Sequence, residues 1–371
     1  MSASSPSVIV VGAGVVGAAC AEALAEAGCR VSVLEAAFPG AGATGAAMGH
    51  LVVMDDSEAQ FALTAYSRRL WTERVPSLPA DVEDDPCGTL WVAADDEELA
   101  HCRRKAAYYE ARGERVELLD AAGLREAEPQ LRPGLAGALR VPQDRVVYPP
   151  AAARLFLERA QALGATVAAG QPVEALEPGR ARSGGRWHEA DLVVNAAGAD
   201  AKHLTPGLPI VPRKGHLVIT DRYPGFLRHQ VVELGYLKSA HTLTRESVAM
   251  NVQPRRTGQL LVGSSRELVG WDASLNHGLC GRMLRRAAEY LPALPRLRAL
   301  RTWTGFRPAT PDKLPLVGPW EKGLWIAAGH EGLGVTTAPG TARLLADLVL
   351  GRRPAIDPAP FDPRREVPAH D

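Results

Sequence analysis

Apolar positions near the N-terminus come first as an unbroken run and then at helical spacing. Ser7 to Val11 reads Ser-Val-Ile-Val-Val, an uncharged, β-branched segment that predicts a buried strand. Gly12-Ala13-Gly14-Val15-Val16-Gly17 follows at once. Ala18 to Ala27 then has helical composition, with Glu22 and Glu26 on one polar face and Gly28 placed as a left-handed cap. Val31-Ser32-Val33-Leu34-Glu35 predicts a second strand, which completes a βαβ unit.

Further along, the pattern predicts helices over Asp55 to Arg74, Asp95 to Arg112, Pro149 to Gly164 and Asn276 to Leu291. Strands are expected over Cys87 to Ala93, Thr166 to Leu176, Ala190 to Ala196 and Leu324 to Ala328. Pro209 to Asp221 and Val231 to Ser265 are β-rich, with turn signals at Pro254 to Gly258. Trp303 to Pro319 reads as proline-rich loop and strand, and a last helix is expected from about Pro339 to Leu350. The proline-rich tail from Pro354 is expected to fray or drape over the surface. Because βαβ signals recur at the start, middle and end, the fold class expected is α/β. A discontinuous Rossmann-like domain would hold 1–80, 145–212 and 305–371. A β-rich domain, 81–144 and 213–304, would be inserted into it.

Charge narrows the partners. With 42 basic and 42 acidic residues the chain has no net attraction for nucleic acid or anionic lipid. Only six of the basic residues are lysines, so no single arginine stands out by its presence. An apolar fraction of 46% excludes wholesale disorder. The five cysteines, at 20, 29, 87, 102 and 280, contain no C-x-x-C pair. That argues against a zinc or iron–sulfur site made by this chain alone and for a reducing compartment. Val8 to Ala21 is apolar for 14 residues but contains three glycines. A membrane span needs about 20 residues. No Lys or Arg precedes the run, so neither a span nor a secretory signal is expected, and the expected location is the cytoplasm.

Five segments carry candidate chemistry. In the first, Gly12 permits a tight turn, Gly14 lets backbone approach a pyrophosphate, and Gly17 lets the helix pack close to the sheet. The helix start then offers N–H groups and a positive dipole end. Glu35, 23 residues beyond Gly12, is placed to bind a ribose, which favours NAD or FAD over NADP. The second is Gly-Ala-Gly-Ala-Thr-Gly-Ala-Ala-Met-Gly, Gly40 to Gly49, almost without bulk. A nicotinamide enzyme has no need of it there. A flavin does, and Thr44 can donate to a phosphate oxygen; a flexible Ala/Gly loop is the competing reading. The third is Val193 to Gly198, a strand end that can abut a cofactor. The fourth is Trp325 to Thr336, where strand, Gly-rich loop and helix recur; a helix start aimed at a flavin would stabilise negative charge, and a generic Gly-rich turn is the competing reading. The fifth is Trp303 to Asp312, where Arg307, among aromatic and proline residues, can present a planar fork to a carboxylate or serve as a structural ion pair.

In this order the segments resemble the FAD-dependent D-amino-acid oxidase family, in the branch with glycine oxidase and the sarcosine oxidases. The resemblance covers nearly the whole chain. Its specific part is Gly305-Phe306-Arg307-Pro308 with Thr310-Pro311-Asp312, then Gly329-His330 and Gly334. It implies an FAD-binding Rossmann-like domain with an inserted substrate domain. It also implies that Arg307 holds the substrate carboxylate beside the cofactor. Flavin contacts would come from Gly329, His330, Gly332, Leu333, Gly334, Val335 and Thr336. The pyrophosphate and ring would run beside Ala43, Thr44, Met48, Gly49 and His50, and the adenine side beside Val173. Val15, Val16, Ala36, Ala197 and Gly198 complete the implied cofactor set with the loop glycines and Glu35. A closer resemblance, carried by Met48 to Gln60 and Pro212-Arg213-Lys214-Gly215-His216, is to the group of D-hydroxyproline dehydrogenase catalytic (β) subunits.

That group implies oxidation of cis-4-hydroxy-D-proline to 1-pyrroline-4-hydroxy-2-carboxylate, with possible electron-transfer partner subunits. Covalent-flavin members of the family carry a cysteine where this chain has Gly305, so non-covalent FAD is expected. The glycine-oxidase type has Arg-Asn where Gly332 and Leu333 stand. His50 is implied as a flavin-facing, catalytic group, with a structural loop histidine as the alternative. Tyr236 and His241 are candidate pocket residues of the inserted domain. Hydride transfer from the substrate α-carbon needs orientation and charge stabilisation rather than a dedicated base. Competing readings are an oxidase of glycine, sarcosine or simple D-amino acids, a non-catalytic flavin-binding subunit, and an NAD dehydrogenase.

Overall fold

β-Branched, uncharged runs can be buried on both faces, and they build the centre of a parallel sheet. A computed structural model describes residues 5–235 and 246–367. In its six-stranded sheet the order is Leu316–Glu321, Leu324–Ala328, Leu192–Asn195, Ser7–Val11, Arg30–Leu34 and Thr166–Ala168. Only the first pair is antiparallel. Val11 pairs with Asn195 on one side and Leu34 on the other, so three strands end level. Ligands of doubly wound sheets bind at such a carboxyl edge.

The helix after the first strand, Val15–Glu26, packs against Pro149–Ala162 and Gly334–Val349. Covered by both, it has no broad polar face. Glu26 is exposed, but Glu22 is only 1% exposed and accepts a hydrogen bond from Arg74 at 2.9 Å. Burial pushes the Glu22 carboxyl up from its usual range, and Arg74 pulls it partly back. Even spacing of Glu22 and Glu26 suggests a solvated face; the two helices packed on it and Arg74 override that.

Other departures also have local causes. The segment expected as one strand over Thr166 to Leu176 is two, Thr166–Ala168 and Val173–Glu177, in different sheets. Gly170 at φ +70° and Pro172 break it. Val173–Glu177 joins Arg180–Ser183 and Arg186–Glu189 in a three-stranded antiparallel sheet that the charged sequence concealed. The last helix begins at Gly334, with Pro339 inside it. Pro339 has no N–H for the carbonyl four residues back, Val335. Trp71 Nε1–H supplies the donor instead, 3.1 Å from Val335 O and 3.1 Å from Thr336 O. Of the two alternatives for the tail, the described part, to residue 367, follows the draped one. Phe361 is 1% exposed, and Arg365 forks onto Asp312 at 2.7 and 2.9 Å.

The chain divides into two compact units. One comprises Met1–Val82, Tyr148–Arg213 and Phe306–Asp371 and carries the six-stranded sheet. The other comprises Glu83–Val147 and Lys214–Gly305. Its framework is an eight-stranded, mostly antiparallel sheet whose order runs Ala299–Ala309, Val211–Thr220, Leu260–Glu267, Glu246–Pro254, Gln230–Glu233, Thr89–Ala93, Gly137–Val141 and Glu117–Asp120. Helix His277–Tyr290 packs on Glu246–Pro254 and Leu260–Glu267, and its Met283 and Ala287 join Val231, Met250 and Val262 in the core. Among the described residues no helix is long and apolar enough to cross a membrane.

Candidate cofactor and substrate site

Gly12 turns the chain out of the first strand at φ +105°. A Cβ on it would stand 2.6 Å from Ala196 O, and a Cβ on Gly17 would stand 2.0 Å from Gly12 O. Both glycines are therefore required by close backbone approach. Glu35, buried at the end of the second strand, accepts N–H groups from Ala13 at 2.7 Å and Ala37 at 2.8 Å. The acid thus braces the turn itself, and each oxygen keeps capacity for a ribose hydroxyl. Gln171 N–H donates to Glu35 O at 2.8 Å and Gly170 N–H to Ala37 O at 3.1 Å. These bonds draw the segment leading to Val173 along the same edge.

The second Gly-rich segment folds back onto the first. Gly40 N–H donates to Ala13 O at 2.9 Å. Thr44 Oγ1 accepts the Val15 N–H at 3.0 Å, so its own hydrogen remains available to an anionic oxygen. Ala36 and Ala43 are exposed, Met48 and Val16 are half-buried, and Gly49 is buried at φ +107°. Asn195 is fully buried. Its Nδ2 donates to Ala201 O and Thr205 Oγ1, both at 2.9 Å, and its Oδ1 accepts from Ala197 N–H at 3.2 Å. This holds Ala197 and Gly198 beside Gly12.

The C-terminal loop reaches the same edge. A Cβ on Gly334 would lie 3.7 Å from Val16 Cγ2. Thr336 Oγ1 donates to His50 O at 2.7 Å, which ties the His50 strand to the start of the last helix. Gly332 N–H is taken by Glu331 Oε2 at 2.6 Å, and Leu333 N–H by His330 O at 2.9 Å. The first-turn N–H groups of Gly334, Val335 and Thr336 are the ones a helix leaves without intrahelical partners. A carbonyl or ring nitrogen placed there would meet a positive dipole end.

Arg307 is half-buried in strand Ala299–Ala309, and Gly332 backbone lies against its stem. The turn that follows is held by Lys313 Nζ with Asp56 at 3.1 Å and by the Arg365–Asp312 fork. Among the described residues His50 Nε2 is buried without a partner, and burial pulls its imidazole down to about 3. His330, 3.0 Å from Thr341 Oγ1, is pulled down to about 3 by the same cause. Both are neutral at physiological pH. His50 is therefore suited to making a hydrogen bond and poorly suited to accepting a proton. Of the motif quoted at Pro212 to His216, Arg213 pairs with Glu331 at 3.4 Å, and Lys214 with Glu267 at 3.2 Å. His216 accepts the Asn276 N–H at 3.1 Å. Tyr236 and His241 lie outside the described residues. Glu331 escaped the sequence reading, although an acid within a run of glycines was the available signal.

Two expected outcomes arise from this geometry. Glu35→Ala should weaken FAD by about 10- to 150-fold, the loss of roughly 1.5–3 kcal/mol carried by hydrogen bonds to a charged group. Titration of apoprotein with FAD reads it, and an unchanged affinity would refute the ribose assignment. The histidines predict a pH dependence. The folded state disfavours their charged forms, so the unfolded chain binds more protons below its ordinary imidazole value of 6.5. Stability should thus be full above that value and fall as pH drops toward about 3. Each histidine contributes up to about 1.4 kcal/mol per pH unit. Urea unfolding between neutral pH and pH ~4 should show a shallower slope for His330→Gln than for the parent.

Two Gly-rich loops folded together at a sheet's carboxyl edge, with a braced acid and a third loop opposite, fit the long pyrophosphate and ring system of a flavin dinucleotide. The chain belongs to the FAD dependent oxidoreductase family, DAO, which matches residues 7–348. It is an enzyme of that kind, and its cofactor is FAD. It is 32% identical to a glycine oxidase of Pseudomonas aeruginosa, over 96% of this chain and 98% of that protein. With the hydrogen cyanide synthase subunit HcnC of the same organism it shares 29% identity over 95% and 94% of the two chains. The glycine oxidase structure from Geobacillus kaustophilus superposes with a TM-score of 0.88 at 28% identity, covering 98% of this chain and 100% of that one.

Proposed function

We propose that the chain oxidises a D-amino acid or cyclic secondary amino acid, and that its substrate is cis-4-hydroxy-D-proline, converted to 1-pyrroline-4-hydroxy-2-carboxylate. The observation that carries the reading is Arg307, half-buried in strand Ala299–Ala309 just before the clamped 310–315 turn, and beside Gly332 of the loop that abuts the fingerprint helix. Its planar fork can take a carboxylate through two parallel bonds and fix the α-carbon. The substrate nitrogen enters as the neutral amine, its lone pair forms C=N⁺ as the α-hydrogen leaves with two electrons, and the iminium then loses its N–H proton to water to give the 1-pyrroline. When bound, FAD supplies the acceptor for that hydride. The N–H groups at the start of the last helix offer stabilisation for developing negative charge. His50 stays neutral and hydrogen-bonds within the site.

The unit carrying the six-stranded sheet is read as the cofactor domain and the other as the substrate domain. FAD is read as non-covalent, since Gly305 stands where covalent members of the family have cysteine. The five free, buried cysteines suit a reducing cytoplasm. Electrons are read as passing to a partner chain, in line with the likeness to HcnC, itself a subunit of hydrogen cyanide synthase.

A second reading, an oxidase of glycine or a simple amino acid, is favoured by the likeness to glycine oxidase. Against it, Gly332 and Leu333 replace the Arg-Asn of that type. An anaerobic screen of D- and L-amino acids, prolines included, should show fastest flavin bleaching with cis-4-hydroxy-D-proline. Reoxidation should be slow with oxygen and fast with an artificial dye. Fastest bleaching by glycine with rapid peroxide release would replace the first reading by the second.

A further inference from the structure

Glu331 interrupts the sequence Gly329-His330-Glu331-Gly332 and holds φ at +48°, a left-handed backbone unusual for a residue with a side chain. Three contacts keep it there. Its N–H donates to Pro308 O at 3.0 Å, its Oε2 accepts from Gly332 N–H at 2.6 Å, and its Oε1 lies 3.4 Å from an Arg213 guanidinium nitrogen. The Arg213 and Glu331 side chains are only 7% and 14% exposed, so water screens the pair poorly. Two of these contacts lead to Arg307. Pro308 is the next residue along its strand, and Gly332 lies beside its side chain, where an added Cβ would stand 3.6 Å from Arg307 Nε.

We infer that the Arg213–Glu331 ion pair is a positioning device that aims the Arg307 fork and sets how tightly a substrate carboxylate is held. The inference rests on Arg307 being the carboxylate-binding group. The fork gains its second parallel bond only if its direction is fixed, and the loop wall fixes it. Arg213 has a second effect. It neutralises Glu331, so no uncompensated negative charge stands near the place where a carboxylate arrives. Loss of Arg213 should therefore harm carboxylate binding more than loss of the Glu331 charge, and removing both should restore part of the loss.

The probe is pyrrole-2-carboxylate, a planar carboxylate with no α-hydrogen to lose, titrated against the FAD-loaded protein by its perturbation of the flavin spectrum. Pyrrole-2-carboxamide is the uncharged control. Arg213→Met should weaken the carboxylate about 10-fold or more, within the range of coupled neighbours. Glu331→Gln, which keeps an acceptor for Gly332 N–H, should weaken it less, and Arg213→Met with Glu331→Gln should bind more tightly than Arg213→Met alone. Glu331→Gly tolerates the left-handed turn and removes the clamp without new strain. It should weaken the carboxylate, leave the carboxamide unchanged, and have no further effect in an Arg307→Ala background. If Arg307→Ala weakens the carboxylate while the Arg213 and Glu331 variants do not, the positioning role is wrong and the reading of Arg307 stands. If Arg307→Ala itself leaves carboxylate binding unchanged, that reading falls and takes this inference with it.

Discussion

Arg307→Ala should lower kcat/KM by about 30- to several-thousand-fold, the loss of roughly 2–5 kcal/mol that follows when a carboxylate loses its paired, hydrogen-bonded cation. FAD should remain bound, because Glu35, Thr44 and the fingerprint turn hold one another through contacts that do not involve Arg307. Arg307→Lys should recover the charge but not the fork, so its rescue should be partial. If the carboxylate is bound equally before and during hydride transfer, the loss falls in KM; if it is gripped more tightly in the transition state, the loss falls in kcat.

A purely structural arginine would behave otherwise. Arg307 sits in an ordered strand next to Pro308, whose carbonyl holds Glu331, so its removal could loosen the loop. In that case Arg307→Ala would lower the melting temperature while kcat/KM per flavin-loaded molecule stayed near the parent value. Measuring both on one preparation separates the roles, and the second outcome would move the substrate site elsewhere.

What the sequence made legible was what local physics dictates. The first turn needs Gly12 and Gly17 because backbone meets backbone there, and a glycine pattern records such a demand directly. Spacing singled out Glu35 as a proposed ribose acid, but it could not show that Glu35 braces Ala13 and Ala37. Residues whose role depends on a distant neighbour were not readable. Glu22 looks solvated until Arg74 and two helices cover it. Pro339 looks like a helix start until Trp71 supplies the donor that proline lacks. Arg365 is one arginine among many until the tail brings it onto Asp312. Glu331 belongs with these, since its partner Arg213 is far away in sequence.

Gly17→Ala should cost the protein its cofactor. The added Cβ would lie 2.0 Å from Gly12 O and 3.0 Å from Gly12 C, both backbone atoms. The helix cannot retreat, because Pro149–Ala162 and Gly334–Val349 pack against it. The strand cannot retreat either, since Val11 is paired on both sides. The Gly12–Gly14 turn must therefore move, and with it the N–H groups proposed to meet the pyrophosphate. Loss of two such charge-assisted bonds, roughly 3–6 kcal/mol, corresponds to a fall in FAD affinity of about 150- to 25,000-fold. Overpacking should lower stability by roughly 1–3 kcal/mol as well. Two other glycines calibrate the result. Among the described residues, chain neighbours aside, a Cβ on Gly14 would meet only the Thr44 hydroxyl, at 3.2 Å, so Gly14→Ala should weaken FAD with little loss of stability. Gly28, at φ +91° and with no described residue other than its chain neighbours within 4 Å of an added Cβ, should when changed to alanine lose about 1 kcal/mol of stability and no FAD affinity. Isothermal titration of each apoprotein with FAD, beside urea unfolding of the same samples, checks the order. A Gly17→Ala protein that binds FAD as tightly as its parent would mean that the turn does not carry the phosphates.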